Sequence, residues 1–470
     1  MAHRGPPARR GRPRGAGRSA AGRSALAVER RPVKPARGGA RTRRDARGRG
    51  GAPSPDALRR EALAQALRFE SPADAVLRAF FRAHPALGRR DRGDIAEAVF
   101  DVLRNRRLYA HLAQSAGGPL EERLLALSRA RRDGRLEVPA LPFAIRFSLP
   151  DWLADALIAR HGLEEAEALA TALLETAPLD LRVNTLKADL AAVRASLAAA
   201  GIEAQPLPQA PQALRVSGKP ALERSAAFES GWCEVQDVGS QLLAMLVAPR
   251  RGQTVVDLCA GAGGKTLALA AAMRSTGQVF ACDTSAPRLL RMRRRLERCG
   301  ATNVQPMALA DESDARLQRL HGRADAVLVD APCTGTGTLR RNPDLKWRTD
   351  AGDVARLVAA QRAILAAAAP LVRPGGCLVY ATCSLLEQEN DEQVAWFEAL
   401  HPDWVRRPAG EVLQAQGAQL NPEAIARGLL RLLPHRDGSD GFFAVRWERP
   451  KQQREPAPER SPSPAILPEG

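Results

Sequence analysis

The sequence predicts an α/β protein: a parallel sheet fills the second half of the chain, behind a small α+β unit and an all-helical segment. Three observations carry this. From Gly231 onward, short apolar strands alternate with helical stretches of about ten to fifteen residues, the signature of crossover-connected parallel strands. Before about residue 130, apolar residues recur at helical spacing without strand-like alternation. At 470 residues the chain exceeds what one hydrophobic core usually serves, so several domains are expected.

The net charge of +18 is concentrated at the start. Residues 1–50 hold sixteen Arg and Lys against Glu29 and Asp45, fourteen of the eighteen net charges, which leaves four for the other 420 residues. Residues 1–53 are therefore expected to form a disordered basic tail able to bind phosphates without reading sequence; an unselected low-complexity extension is the competing reading. A transit peptide fits the Arg-rich, acid-poor composition but lacks an amphipathic apolar face. With no signal-peptide core and no run of eighteen apolar residues, a cytoplasmic protein with no membrane partner is expected. The seven cysteines, Cys233, Cys259, Cys282, Cys299, Cys333, Cys377 and Cys383, form no Cys-x-x-Cys and are odd in number. Free thiols in a reducing compartment are favoured over a metal site or a disulfide framework.

Residues 54–148 read as a helical bundle, with Ala62, Leu63, Ala66 and Leu67, then Val76, Leu77, Phe80 and Phe81, then Ile95, Val99, Phe100, Leu103 and Leu108 at helical spacing. Arg89, Arg90, Arg92, Arg104, Arg106 and Arg107 lie in or beside two of these helices, on an RNA-facing surface or an ordinary solvated one. Residues 149–228 read as an α+β connector: a strand at Leu181–Val183, a helix over Leu190–Ala199 and a second strand at 201–204. Residues 229–450 carry the parallel sheet, with strands at 255–258, 278–283, 327–330, 378–382 and 441–445. Residues 451–470, rich in proline, read as a disordered polar end.

After the first of these strands comes Asp257-Leu258-Cys259-Ala260-Gly261-Ala262-Gly263-Gly264-Lys265-Thr266. Glycines let a backbone approach a ligand, and the following helix N-terminus presents unpaired amides. A Walker A loop needs Gly where Cys259 stands, and the dinucleotide pattern needs Gly where Thr266 stands, so neither phosphate motif is met. S-adenosylmethionine asks for less phosphate chemistry. Asp283, at the end of the second strand, is placed to accept the hydroxyls of a ribose, or else serves as a helix cap. Asp311, beyond the third strand, is placed for an adenine, or is an ordinary loop acid.

Asp330-Ala331-Pro332-Cys333 ends one later strand and Thr382-Cys383-Ser384 another, so both thiols sit at strand ends where open parallel sheets bind ligands. Cys259, Cys282, Cys299 and Cys377 read as inert and buried, with Cys259 able to line the loop through its backbone. A thiolate beside a methyl sulfonium and a carboxylate suits a cytosine ring. Sulfur attack at carbon 6 makes carbon 5 nucleophilic, provided the ring nitrogen is protonated, and Asp330 is the candidate for that hydrogen bond. A base must then remove the proton at carbon 5, and the second thiol is the candidate helper. Such a base must be unpaired or flipped out.

The segments 257–266, 330–337 and 382–384, together with Val235-Gln236-Asp237-Val238-Gly239-Ser240-Gln241 and Asp440-Gly441-Phe442-Phe443, resemble the NOL/NOP/Sun RNA cytosine-5 methyltransferases. The region around Leu87-Gly88-Arg89-Arg90-Asp91-Arg92 and Val102-Leu103-Arg104 is similar to the NusB-like RNA-binding domain of the bacterial branch that methylates small-subunit ribosomal RNA. The resemblance implies a class I, Rossmann-like methyltransferase domain behind the connector, acting as a monomer without metal on ribosomal RNA that is unassembled or partly assembled. It implies Cys383 as nucleophile, Cys333 as the group that assists product release, and S-adenosylmethionine held by Cys259, Ala260, Gly261, Ala262, Gly263, Gly264, Lys265, Asp283, Asp311 and Asp330. The loop Ala308-Leu309-Ala310-Asp311-Glu312 departs from the family pattern. A transfer RNA methyltransferase and a catalytically silent assembly factor are the alternatives; the NusB-like region weighs against the first, and Cys383, Cys333 and Asp330 weigh against the second.

Overall fold

The computed structural model describes residues 54–451; the expected basic tail over 1–53 and the expected polar end beyond Lys451 lie outside the described residues. The helical segment runs through Pro55–Ala66, Ala73–Ala83, Arg89–Arg104, Arg106–Leu112 and Leu120–Arg132. Ser54 starts it as an N-cap, its hydroxyl accepting from the Ala57 amide, with Pro55 in the first turn. The apolar stripes converge as expected: Ala62, Leu63, Leu77, Phe80, Ile95, Val99, Leu103 and Leu108 are buried in one cluster.

The arginines of this segment split. Arg89 and Arg90 are exposed, whereas Arg104, Arg106 and Arg107 are consumed in joining the helices to the rest of the chain. Arg104 donates to the Arg340 carbonyl at 2.9 Å, Arg107 donates to the Leu149 carbonyl at 2.6 Å, and Arg106 lies 5.1 Å from the centres of both the Phe69 and Trp347 rings. For these three, neither an RNA-facing surface nor a solvated one describes the outcome.

Four short strands form the connector sheet: β1 (Leu179–Val183), β2 (Ala204–Pro206), β3 (Ala213–Val216) and β4 (Cys233–Val235), in the order β2-β3-β1-β4 and antiparallel throughout. Asp189 caps the Leu190–Ala199 helix packed against it. Because β4 pairs with β1, the connector sheet reaches past the expected boundary at 228, and residues 233–235 do not open the parallel sheet. A helix over Asp151–Leu173, kinked where Gly162 takes a φ of 74°, was not anticipated. Its Leu153, Leu157 and Leu169 pack on Leu339, Leu385 and Leu386, just beyond the two cysteine motifs.

The large sheet contains β5 (Thr254–Asp257), β6 (Gln278–Asp283), β7 (Val304–Ala308), β8 (Ala324–Asp330), β9 (Val372–Thr382), β10 (Val405–Arg407), β11 (Leu430–Leu432) and β12 (Phe442–Glu448). Its order is β10-β12-β9-β8-β5-β6-β7 with β11 beside β12. From β7 to β9 the pairing is parallel, and β12 runs antiparallel to β9. The strands read as continuous apolar runs because both faces are covered: Val255, Leu328 and Val379 face one buried cluster, and Val256, Val327, Leu378 and Tyr380 the other. The stretch Ala351–Leu371 has the length and apolarity of a membrane span; here its helix lies on the sheet with Leu365 and Ala368 in the core and Gln361 fully buried. The chain winds from β5 outward through β6 and β7, then returns to β8 and β9 on the other side. That reversal opens a crevice above the carboxyl ends of the strands.

Candidate active site

A cavity of about 560 Å³ occupies this crevice. At one end lies the glycine loop. Gly263, with a φ of 86°, caps the Gly264–Ala272 helix, and a Cβ there would meet the Met292 side chain at 2.5 Å, so the turn requires glycine. Asp283 accepts from the Gly261 amide with one carboxylate oxygen and from the Ser285 amide with the other, both at 2.7 Å. It thus ties the loop to the end of β6 while each oxygen keeps a lone pair for a ligand. Asp311 sits at the rim on an exposed loop, one oxygen taken by Ser313. Asp257, fully buried beneath the loop, accepts from the Thr266 hydroxyl at 2.7 Å. Burial pushes its carboxyl up to about 7, despite that hydrogen bond.

The other end holds the thiols. Cys333, after β8, and Cys383, after β9, are half-buried with their sulfurs 3.4 Å apart, and the Cys383 amide points at the Cys333 sulfur at 3.3 Å. The hydrogen bond to Cys383 and burial raise the Cys333 thiol well above its ordinary range. Between the two ends, Lys265 donates to Asp330 at 2.7 Å. Burial pulls the Lys265 ammonium down, but the charge and hydrogen bond of Asp330, with a smaller contribution from Cys383, reverse the sign and raise it. Cys282, Cys299 and Cys377 are buried as expected, and so is Cys233. Cys259 is half-buried along the cavity, and burial raises its thiol strongly as well.

The loop after Cys333 is pinned on several sides. Gly337 packs backbone to backbone on Gly441, where a Cβ would lie 2.2 Å from the Gly441 carbonyl oxygen. Arg340 pairs with Asp440 at 2.6 Å, and Arg341 with Asp237 at 2.6 Å and with Asp440, so three motifs distant in sequence close on one another. Farther along, Asp344 accepts from the Ala73 amide at 3.2 Å, Lys346 donates to the Arg104 carbonyl at 2.9 Å and Trp347 to the Leu103 carbonyl at 2.9 Å. The loop that begins at one thiol therefore ends by capping two helices of the N-terminal segment.

Of the residues singled out from sequence, Cys259, Ala260, Gly261, Ala262, Gly264, Lys265, Asp283, Asp311, Asp330, Cys333 and Cys383 all line this one cavity. Gly263 does not; it turns the chain behind the loop. Missed were Asp257, buried at the end of β5, and three fully buried polar residues behind the thiols: Gln361, Glu389 and Asn390. In the sequence, Glu387-Gln388-Glu389-Asn390 is an unbroken polar run, with nothing to mark two of its members as buried.

Comparison with known proteins agrees with this architecture. Residues 244–448 match the family model described as 16S rRNA methyltransferase RsmB/F, and residues 149–223 match the RsmF/B-like ferredoxin-like domain. The chain is 36% identical over 318 residues to the "Probable ribosomal RNA small subunit methyltransferase B" of Synechocystis sp., covering 67% of this chain and 70% of that protein. It is 37% identical over 302 residues to the ribosomal RNA small subunit methyltransferase B of Sodalis glossinidius, covering 64% and 65%. Among solved structures, PH0851 superposes with a TM-score of 0.70 at 26% identity, covering 84% of this chain and 99% of that one. A methyltransferase homolog from Pyrococcus horikoshii gives 0.55 at 29% identity, covering 65% and 97%. With its Rossmann-like sheet, its connector and this match over most of their length, the chain belongs to the RsmB/F family of 16S rRNA methyltransferases.

Proposed function

We propose that this protein transfers a methyl group from S-adenosylmethionine to carbon 5 of a cytosine in small-subunit ribosomal RNA through a covalent cysteine–cytosine adduct. The observation that carries the reading is the pair of sulfurs 3.4 Å apart, opening on the same cavity as the Lys265–Asp330 pair and the glycine loop. The cavity has the volume of a cofactor pocket, and the spare lone pairs of Asp283 together with the glycine-loop backbone fit an adenosyl ligand. Cys259 to Ala262, Gly264 and Lys265, with Asp283 and Asp311, would hold it, and when bound it supplies an electrophilic methyl group.

The chain's own residues do the rest. Cys383 adds to carbon 6 of the cytosine. Asp330, which lines the cavity and accepts from Lys265, relays a proton from the Lys265 ammonium to the ring nitrogen as the sulfur adds and returns it as the sulfur leaves. Lys265 stabilises the anionic groups around it. Cys333 assists removal of the carbon 5 proton, so that the ring regains its double bond and the Cys383 sulfur leaves. The N-terminal helices, read as NusB-like, contribute RNA binding and the cap on the loop after Cys333. The substrate is ribosomal RNA, unassembled or partly assembled, and the site of action is accordingly the cytoplasm; the enzyme acts as a monomer.

The test is methyl transfer from tritiated S-adenosylmethionine to unmodified small-subunit ribosomal RNA. Cys383→Ala is expected to abolish transfer, and Cys333→Ala to leave a protein–RNA adduct that survives denaturing gels. Full activity in Cys383→Ala would overturn the mechanism.

A further inference from the structure

Three adjoining buried side chains stand behind the two thiol-bearing loops. Glu389, Asn390 and Gln361 are each fully buried. Glu389 accepts from the Thr334 amide at 2.9 Å, from the Thr334 hydroxyl at 2.5 Å and from the Gln361 amide group at 2.9 Å. The same amide group of Gln361 donates to the Pro332 carbonyl at 3.0 Å. Cys333 is thereby held on both sides, through Pro332 by Gln361 and through Thr334 by Glu389. The next residue along serves the other thiol: Asn390 accepts from the Thr382 hydroxyl at 2.6 Å and donates to the Ser384 carbonyl at 2.9 Å, bracketing Cys383. The Tyr380 hydroxyl donates to the Glu389 carbonyl at 2.7 Å, fixing this turn to β9. The Ser384 and Thr334 hydroxyls meet at 3.2 Å and close the network between the two loops.

We infer that Glu389 is a positioning residue for the two-thiol site: together with Asn390 and Gln361 it sets the spacing and the relative aim of the Cys333 and Cys383 sulfurs. Neither sulfur touches Glu389 in a hydrogen bond, so its action passes through the backbone of the residues flanking the thiols. A carboxylate suits the position because it accepts from two backbone and side-chain amides while leaving a second oxygen for a hydroxyl. Buried polar networks of this kind hold geometry only when every member is satisfied, so removal of Glu389 frees the Cys333 loop rather than weakening it slightly. Glutamine is the conservative replacement. Its carbonyl oxygen can accept from the Thr334 amide and from Gln361, and its amide can donate to the Thr334 hydroxyl.

The inference rests on the proposed roles of the two cysteines, but the spacing can be tested without them. Diamide oxidises neighbouring thiols: each sulfur gives up a proton, and the pair gives up two electrons to the azo bond, which becomes the hydrazine, leaving a Cys333–Cys383 disulfide. The rate of that bond's formation, read by mass spectrometry of the full chain without RNA, reports the distance between the sulfurs. In Glu389→Ala it should fall at least tenfold, and in Glu389→Gln by no more than threefold. Methyl transfer at saturating RNA and S-adenosylmethionine should follow the same order: kcat falls at least tenfold in Glu389→Ala, the KM for S-adenosylmethionine moves less than threefold, and Glu389→Gln recovers activity. Wild-type cross-linking and kcat in Glu389→Ala would overturn the inference, and so would loss of kcat in a Glu389→Gln variant that cross-links normally, which would mark a role for the charge. If Glu389→Ala does not fold, Gln361→Ala reads the same tether from the Pro332 side with the same expected loss. Absence of methyl transfer by the wild type would overturn the proposed function alone and leave the cross-linking result to decide the spacing.

Discussion

The two ends of the cavity are built by different means. The glycine-loop end is made of consecutive residues: Cys259 to Lys265 leave one strand, and Asp283, at the end of the neighbouring strand, grips the loop through the Gly261 amide. The thiol end is assembled from segments about thirty to fifty residues apart, with Cys333, Gln361, Cys383 and Glu389 brought together by the pairing of β8 with β9 and by the helix laid across them. A site of the first kind binds through backbone geometry that many sequences can supply. A site of the second kind depends on side chains whose partners are fixed only by the fold. The chemistry proposed above follows the same division, with binding at one end and bond making at the other.

Substitutions can break or sharpen this division. The largest expected effect is the loss of methyl transfer in Cys383→Ala, on the order of 10³-fold or more, with cofactor affinity by calorimetry unchanged. Next is Lys265→Met, at the junction of the two ends. Removing the cation that faces Asp330 and Cys383 should lower methyl transfer by roughly 10²-fold and slow iodoacetamide alkylation of Cys383 at neutral pH. If cofactor affinity falls and alkylation does not change, Lys265 belongs wholly to the binding end. Asp283→Ala should act in the opposite sense. It strands the Gly261 and Ser285 amides and weakens cofactor binding by about 10- to 100-fold, while the diamide cross-link between the thiols forms at the wild-type rate.

The smallest effect concerns the cap that ties the thiol loop to the N-terminal helices. Lys346 is buried, donates to the Arg104 carbonyl and has no carboxylate within ion-pair distance among the described residues. Burial, with the nearby Arg104 charge, lowers its ammonium well below the usual lysine range. The sign follows. The unfolded lysine stays charged up to about pH 10, whereas the folded one gives up its proton earlier, so the residue disfavours folding at neutral pH and the penalty fades as pH rises toward that of free lysine. Lys346→Met should therefore raise stability in urea by about 1–2 kcal/mol at pH 7, with the gain shrinking by pH 10. A loss at both pH values would show that the hydrogen bond to Arg104 outweighs the buried charge.

Much of the architecture was legible in the sequence because it is local. The helical spacing from Ala62 to Leu108 specifies helices whose buried faces the structure confirms, and runs such as Val327-Leu328-Val329 specify strands covered on both faces. What misled was also local in cause. Cys233–Val235 falls within the stretch assigned to the parallel sheet but pairs backward into the connector, a choice made by hydrogen bonds to β1 that no short window contains. Arg104, Arg106 and Arg107 look like a charged face, yet Arg104 and Arg106 close an interface with Arg340 and Trp347, more than two hundred residues away, and Arg107 donates to the Leu149 carbonyl.

By itself the sequence determined the alternation of strand and helix that holds β5, β6, β8, β9 and β12, the glycine turn and the placement of Cys333 and Cys383 at strand ends, since each follows from propensity, periodicity and chain adjacency. Only the tertiary structure decided that the two sulfurs come within 3.4 Å, that Lys265 meets Asp330, and that Gln361, Glu389 and Asn390 stand behind the thiols. Those are distances between side chains on different strands and helices, set by sheet order and packing, and an amino-acid pattern carries no record of them.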